Sequence, residues 1–300
     1  DQLDIPHYTI NSRESFDNRV IQPFIQSYQI GETPNPCVEC NRYIKFDELW
    51  SYANDLDADF VATGHYSRIS YSTRYGQYYL KTGLDPKKDQ SYFLYMLNQE
   101  KLKKILFPLG DRDKESCRKL AEERGLITAK KSDSQEICFV SQASYKTYLK
   151  DAIPDANRLP GPILDTNGHI LGYHQGIYQF TVGQRRGINI SSEHPLYVLA
   201  IHPERQAITV GPKPEKVPHV LTLRQMTTVS GRPLEKGKRL PVKLRYRSRP
   251  IQCTVLSHVG DVASIQVNTA ISQLSPGQSA VFYKGPFVLG GGIIDAVSKA

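Results

Sequence analysis

The sequence carries its reactive chemistry in two sulfur-bearing stretches. The first is Thr33-Pro34-Asn35-Pro36-Cys37-Val38-Glu39-Cys40-Asn41, which spaces two thiols as CxxC. Such a pair inside a cell is commonly half of a zinc site or a redox couple. Zinc needs two further ligands, usually a second CxxC or a Cys/His pair, and the remaining cysteines, 117, 138 and 253, are isolated. A thioredoxin-like pair opens a helix directly after a strand, whereas this one follows a proline-rich turn. Nucleophilic sulfur chemistry is the reading left. The second stretch is Lys130-Lys131-Ser132-Asp133-Ser134-Gln135-Glu136-Ile137-Cys138-Phe139. Cys138 reads equally as a small buried hydrophobe between Ile137 and Phe139 or as a thiol whose ionisation Lys130 and Lys131 assist.

A third constellation is electrostatic. In Lys243-Leu244-Arg245-Tyr246-Arg247-Ser248-Arg249 the basic residues fall at every second position. On a strand they would share one face about 6.6 Å apart, close to phosphate spacing along a nucleic-acid strand. The alternative is a solvated edge strand, where Lys and Arg discourage edge pairing. Charge placement favours the first. Lys and Arg balance Asp and Glu over residues 1–217, 27 against 27, whereas residues 218–300 hold 11 against 3. The net charge of +8 therefore lies in the last part of the chain and points to a polyanionic partner docked there. Gln184, Arg185 and Arg186, in a glycine-flanked turn, form a smaller candidate of the same kind.

The elements that must position these groups change character along the chain. Phe16, Val20, Phe24 and Tyr28 keep a helical stripe that Pro23 should kink or restart. Phe46, Leu49, Trp50, Ala53 and Leu56 form another, followed by a buried strand, Phe60-Val61-Ala62, that runs into Thr63-Gly64-His65. The carboxyl end of such a strand is where open α/β sheets bind ligands. Tyr66–Tyr71 and Gln77–Lys81 predict a hairpin, and Asp113 to Gly125 a capped helix. From about residue 145, Pro and Gly punctuate short segments of a β-rich module. Residues 197–211 read as a hairpin and 211–218 as a linker, after which alternating strands suggest a barrel or sandwich. The expected organisation is residues 1–144, 145–217 and 218–300. Thirty-nine per cent hydrophobic residues exclude wholesale disorder, no apolar run is long enough for a membrane helix, and five scattered cysteines are no disulfide framework. The thiols read as reduced and cytoplasmic.

TPNPCVECNRYIKF, ADFVATGHYSRI, KKDQSYFLYML, FPLGDRDK, KSDSQEICFV, GIYQFTVGQRRGI and SPGQSAVFY occur in this order. Together they resemble the tRNA-specific 2-thiouridylase (MnmA/TrmU) family over essentially the whole chain. The resemblance implies an α/β domain of the PP-loop ATPase, HUP-like Rossmann type, then a small β-rich central domain and a C-terminal β-barrel. It implies ATP-dependent replacement of the wobble-uridine C2 oxygen by sulfur in tRNAs for Lys, Glu and Gln, with Mg2+ accompanying ATP and no metal held by the protein. Sulfur would arrive from a cysteine desulfurase or a sulfur-relay carrier as a persulfide on Cys138. Cys40 would complete release, leaving a Cys40–Cys138 disulfide. By the same resemblance Asn35, Pro36 and Cys37 contact the target base, although relatives often carry Asp at the position of Cys37. Gly64 contacts nucleotide, and His65, Lys88, Asp89, Gln90, Arg245, Tyr246 and Gln278 contact tRNA. From its sequence context alone, His65 reads as a turn residue with a satisfied imidazole.

The Ser-Gly-Gly-x-Asp-Ser phosphate loop of PP-loop enzymes does not occur in this sequence, and Leu289-Gly-Gly-Gly-Ile293 does not replace it. The expectation is a chain that begins within the nucleotide-binding domain, binds tRNA weakly and does not adenylate it alone. The competing expectation is an RNA-binding protein with a CxxC zinc or redox site and no sulfur transfer.

Overall fold

The computed structural model describes residues 4–130, 137–140, 144–154, 158–272 and 274–300. Lys131 to Glu136 of the second sulfur-bearing stretch lie outside the described residues.

The first aromatic stripe forms one helix in three parts, Arg13–Phe16, a π-helical turn Asp17–Ile21, and Gln22–Gln29. Val20, Phe24 and Tyr28 are buried along it. Pro23 falls in the first turn of the last part, where its missing N–H costs little. The thiol-bearing helix is also composite: Pro36–Glu39, a π-helical stretch Cys40–Glu48, and Leu49–Asp55. Of its expected apolar stripe only Phe46 reaches the core, and Leu56 is exposed.

Four strands follow: β1 (Val61–Ala62), β2 (Ser67–Ser72), β3 (Gln77–Thr82) and β4 (Ile105–Leu106). β1 and β4 pair in parallel, as an α/β sheet requires. The buried strand expected at Phe60 is shorter than its apolar run: Val61 is buried and Phe60 exposed. Residues 6–10 form no strand; the backbone there is irregular, and Pro6 supplies no ladder donor. The hairpin is in full register from Ser67 opposite Thr82 to Ser72 opposite Gln77. The capped helix is Lys114–Glu123, with the Asp113 carboxylate accepting the Ser116 backbone N–H at 2.8 Å.

The middle module holds β5 (Gly161–Leu164), β6 (Ile170–His174), β7 (Tyr197–His202) and β8 (Ala207–Gly211), ordered 6-5-8-7. Ile163, Phe180, Val198, Ile208 and Val210 fill its core. Then come β9 (Val217–Thr228), β10 (Arg239–Lys243), β11 (Ile251–Val259), β12 (Val262–Ile271), β13 (Ser279–Lys284) and β14 (Phe287–Lys299). They are ordered 13-10-11-12-9-14, and a β13–β14 pairing closes them into a six-stranded antiparallel barrel. Leu221, Leu223, Val242, Cys253, Val255 and Ile265 alternate into its interior.

The first domain and the barrel share a core. Tyr92, Leu94, Tyr95 and Leu97 pack with Val281, Tyr283 and Val288 of β13 and β14. The glycine run lies inside β14, and a side chain at Gly291 would stand 2.8 Å from the Tyr95 ring, so only glycine permits this approach. The hairpin also reaches the barrel, with Lys81 of β3 opposite Phe287 of β14.

The basic ladder is a turn. β10 stops at Lys243, and the Ser248 hydroxyl and backbone N–H both donate to the Arg245 carbonyl, at 2.8 and 3.1 Å. A serine that satisfies its own backbone locally, followed by Pro250, outcompetes the strand the alternation suggested. Lys243 leaves the series, its ammonium 3.9 Å from the Asp89 carboxylate and over the Tyr283 ring. Arg245, Arg247 and Arg249 remain exposed.

Candidate functional site

The thiol-bearing helix is held by its entry loop, and the barrel holds the loop. Both backbone groups of Thr33 are bonded there: its N–H donates to the Pro276 carbonyl and its carbonyl accepts from the Gln278 side-chain amide, each at 2.8 Å. One residue earlier, the Glu32 carboxylate meets the Arg224 guanidinium in two parallel bonds of 2.9 and 2.8 Å. Arg224 also reaches Asp295 on β14 at 2.6 Å. Bidentate charge-assisted pairing fixes orientation as well as distance. Asn35 then caps the helix through its carbonyl, 3.1 Å from the Val38 N–H, and Pro36 takes the first helical position. The next residue is Cys37, and Cys40 stands one turn on.

Cys138 is brought to these two by a different packing. Its flanks, Ile137 and Phe139, insert into the aromatic cluster of Phe24, Tyr28 and Tyr148; the Phe139 ring lies 5.2 Å from Phe24 and 5.5 Å from Tyr148. The turn, closed by the Val140 N–H on the Ile137 carbonyl, leaves Cys138 exposed between two anchored neighbours. This excludes the reading of Cys138 as a small buried hydrophobe, since the apolar flanks are packed and the thiol is not. Cys37 is exposed as well and Cys40 half-buried, and all three thiols are free.

Their electrostatics show that they share one neighbourhood. Protein packs densely around the Cys37 sulfur although one side of it meets solvent. Burial pushes this thiol up, Cys138 and then Cys40 add to the rise, and Lys45 opposes it. Burial also raises Cys40, with Lys45 lowering and Cys138 raising it. Among the described residues Lys45 is the cation that acts on both Cys37 and Cys40, and the helix geometry explains why. In a π-helix the N–H of residue i+5 meets the carbonyl of residue i, so Lys45 lies one widened turn above Cys40. Sequence spacing read with an α-helical period misses it. Among the described residues, no group of three or more His, Cys, Asp or Glu side chains is placed to hold a metal ion.

His65 is a supporting residue. Its ring nitrogens are 2.8 Å from the Thr63 hydroxyl and 3.1 Å from the Asn41 side-chain oxygen, and the Asn41 amide donates to the Phe93 carbonyl. Burial, with Lys45 adding to it, lowers the imidazole to about 3, so it stays neutral. Its side chain therefore offers RNA no free nitrogen; it fixes Asn41, the residue after Cys40. Gly64 lies just beyond the carboxyl end of β1, and a side chain added there would meet only Leu109, at 3.7 Å. No phosphate-cradling loop accompanies Gly64 among the described residues.

The remaining sequence candidates divide. Asp89 is buried, accepting from the Gly83 and Ser91 backbone N–H groups at 3.0 and 3.1 Å and from the Ser91 hydroxyl, and Gln90 accepts the Tyr66 N–H at 2.9 Å. Both side chains are structural here, and Lys88 beside them is half-buried. Tyr246 packs against Phe93 in a tilted pair, ring centroids 4.4 Å apart, near enough to the thiols that Cys37 contributes to the raising of its phenol, after burial and Asp89. Arg245 and Gln278 line a cleft of about 530 Å³ with Thr33, Gln184 and Lys213, where all three parts of the chain meet. Glu32, Asn41, Lys45 and Arg224 were not evident from sequence, because each acts through a partner far along the chain or through the widened helix.

The fold and site define a HUP domain carrying paired thiols, followed by two β-modules that meet it at a cleft of about 530 Å³. Residues 1–142 match the tRNA methyl transferase HUP domain, 146–212 the tRNA methyl transferase PRC-barrel domain and 219–294 the aminomethyltransferase beta-barrel domain. The tRNA-specific 2-thiouridylase MnmA of Geobacter metallireducens is 45% identical over 296 residues, covering 99% of this chain and 80% of its own length. MnmA of Moorella thermoacetica is 42% identical over 297 residues, 99% of this chain and 83% of its own length. The chain belongs to the tRNA-specific 2-thiouridylase MnmA family.

Proposed function

We propose that the chain works in ATP-dependent 2-thiolation of the wobble uridine of tRNAs for Lys, Glu and Gln. The observation that carries this is the convergence of Cys40 and Cys138, distant in sequence, beside Lys45 at the end of a loop held by the barrel. ATP supplies the chemistry that turns the uridine C2 oxygen into a leaving group, and the Gly64 edge takes one flank of the nucleotide. The exposed thiol of Cys138 receives sulfur as a persulfide from a cysteine desulfurase or relay carrier. The terminal persulfide sulfur bonds to C2 as the C2–O bond breaks and the activated oxygen departs with AMP. The Cys40 thiolate then attacks the Cys138 sulfur, the electron pair of the broken S–S bond stays on the sulfur at C2, and a Cys40–Cys138 disulfide remains. Asn35, Pro36 and Cys37 face the base, while Arg245, Arg247, Arg249 and Gln184 neutralise or orient the RNA backbone along the cleft.

The working divisions are residues 1–144, 145–217 and 218–300, and the reaction belongs to the cytoplasm, where the thiols are kept reduced. No helix among the described residues is long and apolar enough to cross a membrane. Cys40→Ser and Cys138→Ser should each abolish thiouridine formation, read by mass spectrometry of digested tRNA, with tRNA affinity within about twofold of the parent. Normal thiolation by either variant would overturn the assignment. Stoichiometric zinc on Cys37 and Cys40 would favour the RNA-binding alternative.

A further inference from the structure

Two buried side chains of the widened helix converge on one imidazole. Asn41 and Phe46 are the buried residues of Cys40–Glu48, and they stand five positions apart. In an α-helix, residues five apart point about 140° away from each other. In a π-helix they stand one turn apart on one face. The widened register therefore lets both reach His65: the Asn41 oxygen lies 3.1 Å from Nε2, and the Phe46 ring centroid is 5.8 Å from the imidazole. The Phe107 ring meets the same imidazole edge-on, also at 5.8 Å. The hydrogen bonds run in one direction. The Phe93 carbonyl can only accept, so the Asn41 amide nitrogen faces it, at 3.2 Å, and the Asn41 oxygen faces His65. That oxygen also only accepts, so the neutral imidazole carries its proton on Nε2, and Nδ1 accepts the Thr63 hydroxyl at 2.8 Å. Asn41, 3% exposed, is thus clamped between the end of β1 and the Ser91–Phe93 turn.

We propose that Asn41 and His65 are positioning residues, which lock the widened register of the helix and thereby hold Lys45 one turn from Cys40. Cys40 and Lys45 repeat the five-residue spacing of Asn41 and Phe46, one position earlier in the chain. Whatever pins the second pair to His65 fixes the members of the first pair relative to each other. π-helical runs are rare and α-helical bonding is the ordinary choice, so a segment released from the clamp rewinds to the tighter register. Lys45 then lies about 140° around the helix from Cys40. The thiolate loses the cation that favours it, and that thiolate is the attacking group of the release step. A displaced attacking group lowers the rate of its step while the surfaces that bind the RNA stay as they were.

The inference rests on the thiolation reading, and three measurements on the full chain keep their failures apart. Nitrogen NMR of the His65 ring in the parent should show the neutral Nε2–H tautomer; the Nδ1–H form overturns the clamp. Alkylation of Cys40 by iodoacetamide, mapped by mass spectrometry, should slow about threefold or more in Asn41→Leu, which keeps the side-chain volume and loses both bonds. Asn41→Ala, the smaller change, should slow it likewise, with both variants compared where urea titration finds them folded. Cys138, on its separate segment, should react as in the parent. Lys45→Met should slow Cys40 by the same factor, and Asn41→Ala combined with it should slow Cys40 no further, because both changes remove one interaction. Additive losses, an unchanged Cys40 rate, or faster alkylation of Cys40 and Cys138 together would each overturn the lock; the last is what mere loosening of the fold produces. In turnover, Asn41→Leu should lower kcat about tenfold or more with the KM for tRNA within about twofold. A parental kcat in that variant overturns the lock and leaves the thiolation reading standing. No thiouridine from the parent overturns that reading, while the tautomer and the alkylation cycle still decide the lock.

Discussion

Acid should unfasten the thiol-bearing helix through one buried imidazole. His65 is 6% exposed and lowered to about 3, against about 6.5 for histidine in an unfolded chain. Below pH 6.5 the unfolded chain binds a proton that the folded one refuses, so stability falls as pH falls. The loss begins near 6.5 and levels off only near 3. At about 1.4 kcal/mol per pH unit, the His65 contribution to the loss is about 1 kcal/mol at pH 5.5 and about 3 kcal/mol at pH 4.5. Urea titrations followed by the single tryptophan, Trp50, should show this in the parent. His65→Gln, which has nothing to titrate, should lose less stability between pH 7.5 and 4.5 by that same amount, other groups cancelling in the difference. NMR of the imidazole ring should find it neutral at pH 5. Parallel pH slopes for parent and variant, or a ring that titrates near 6.5, would refute the reasoning.

Other expectations concern the clamp, the cleft and the glycines. Arg224→Met removes both bonds to Glu32 and the one to Asp295 from a partly buried site. It should cost about 2 kcal/mol in denaturant titrations and quicken alkylation of Cys37 and Cys40 severalfold. Arg245→Ala and Arg247→Ala should each weaken tRNA binding and lower the slope of log affinity against log salt by about one, measured by filter binding between 50 and 200 mM salt. Gly64→Ala, with only Leu109 at 3.7 Å to meet, should keep parental stability within about 0.5 kcal/mol while reducing thiolation. Gly291→Ala should cost about 1–3 kcal/mol in thermal melts, because its side chain would enter the Tyr95 ring.

Local features were readable from the residues that make them. The Phe16-Val20-Phe24-Tyr28 stripe, the Ser67–Thr82 hairpin and the Asp113 cap each depend on neighbours a few positions apart, and each forms where expected. Long-range competition decided the rest. Lys243 left the basic series because Asp89 and Tyr283, far away in sequence, offered its ammonium a better place. His65 became a buried strut because Asn41 and Thr63 supplied both of its partners. The candidate site was legible in its sulfurs, since unusual residue types at fixed spacing announce themselves. Its positioning groups were not, because Arg224 looks like any surface arginine until Glu32 and Asp295 meet it, and Lys45 lies one residue outside the α-helical period.

The core shared by Leu94, Tyr95, Val281 and Val288 also sets a timetable for the chain's birth. During synthesis Tyr95 leaves the ribosome long before the strand it packs against, which is about 190 residues behind. At about 5–20 residues per second, that core stays open for roughly 10–40 seconds. Through that interval Tyr92, Leu94 and Leu97 expose apolar surface that a chaperone or a premature contact can capture. The thiol loop, fastened by Thr33 to Pro276 and Gln278, acquires its final position in the same late event. A nascent chain halted before the barrel therefore carries both CxxC thiols outside their finished setting, open to stray oxidation.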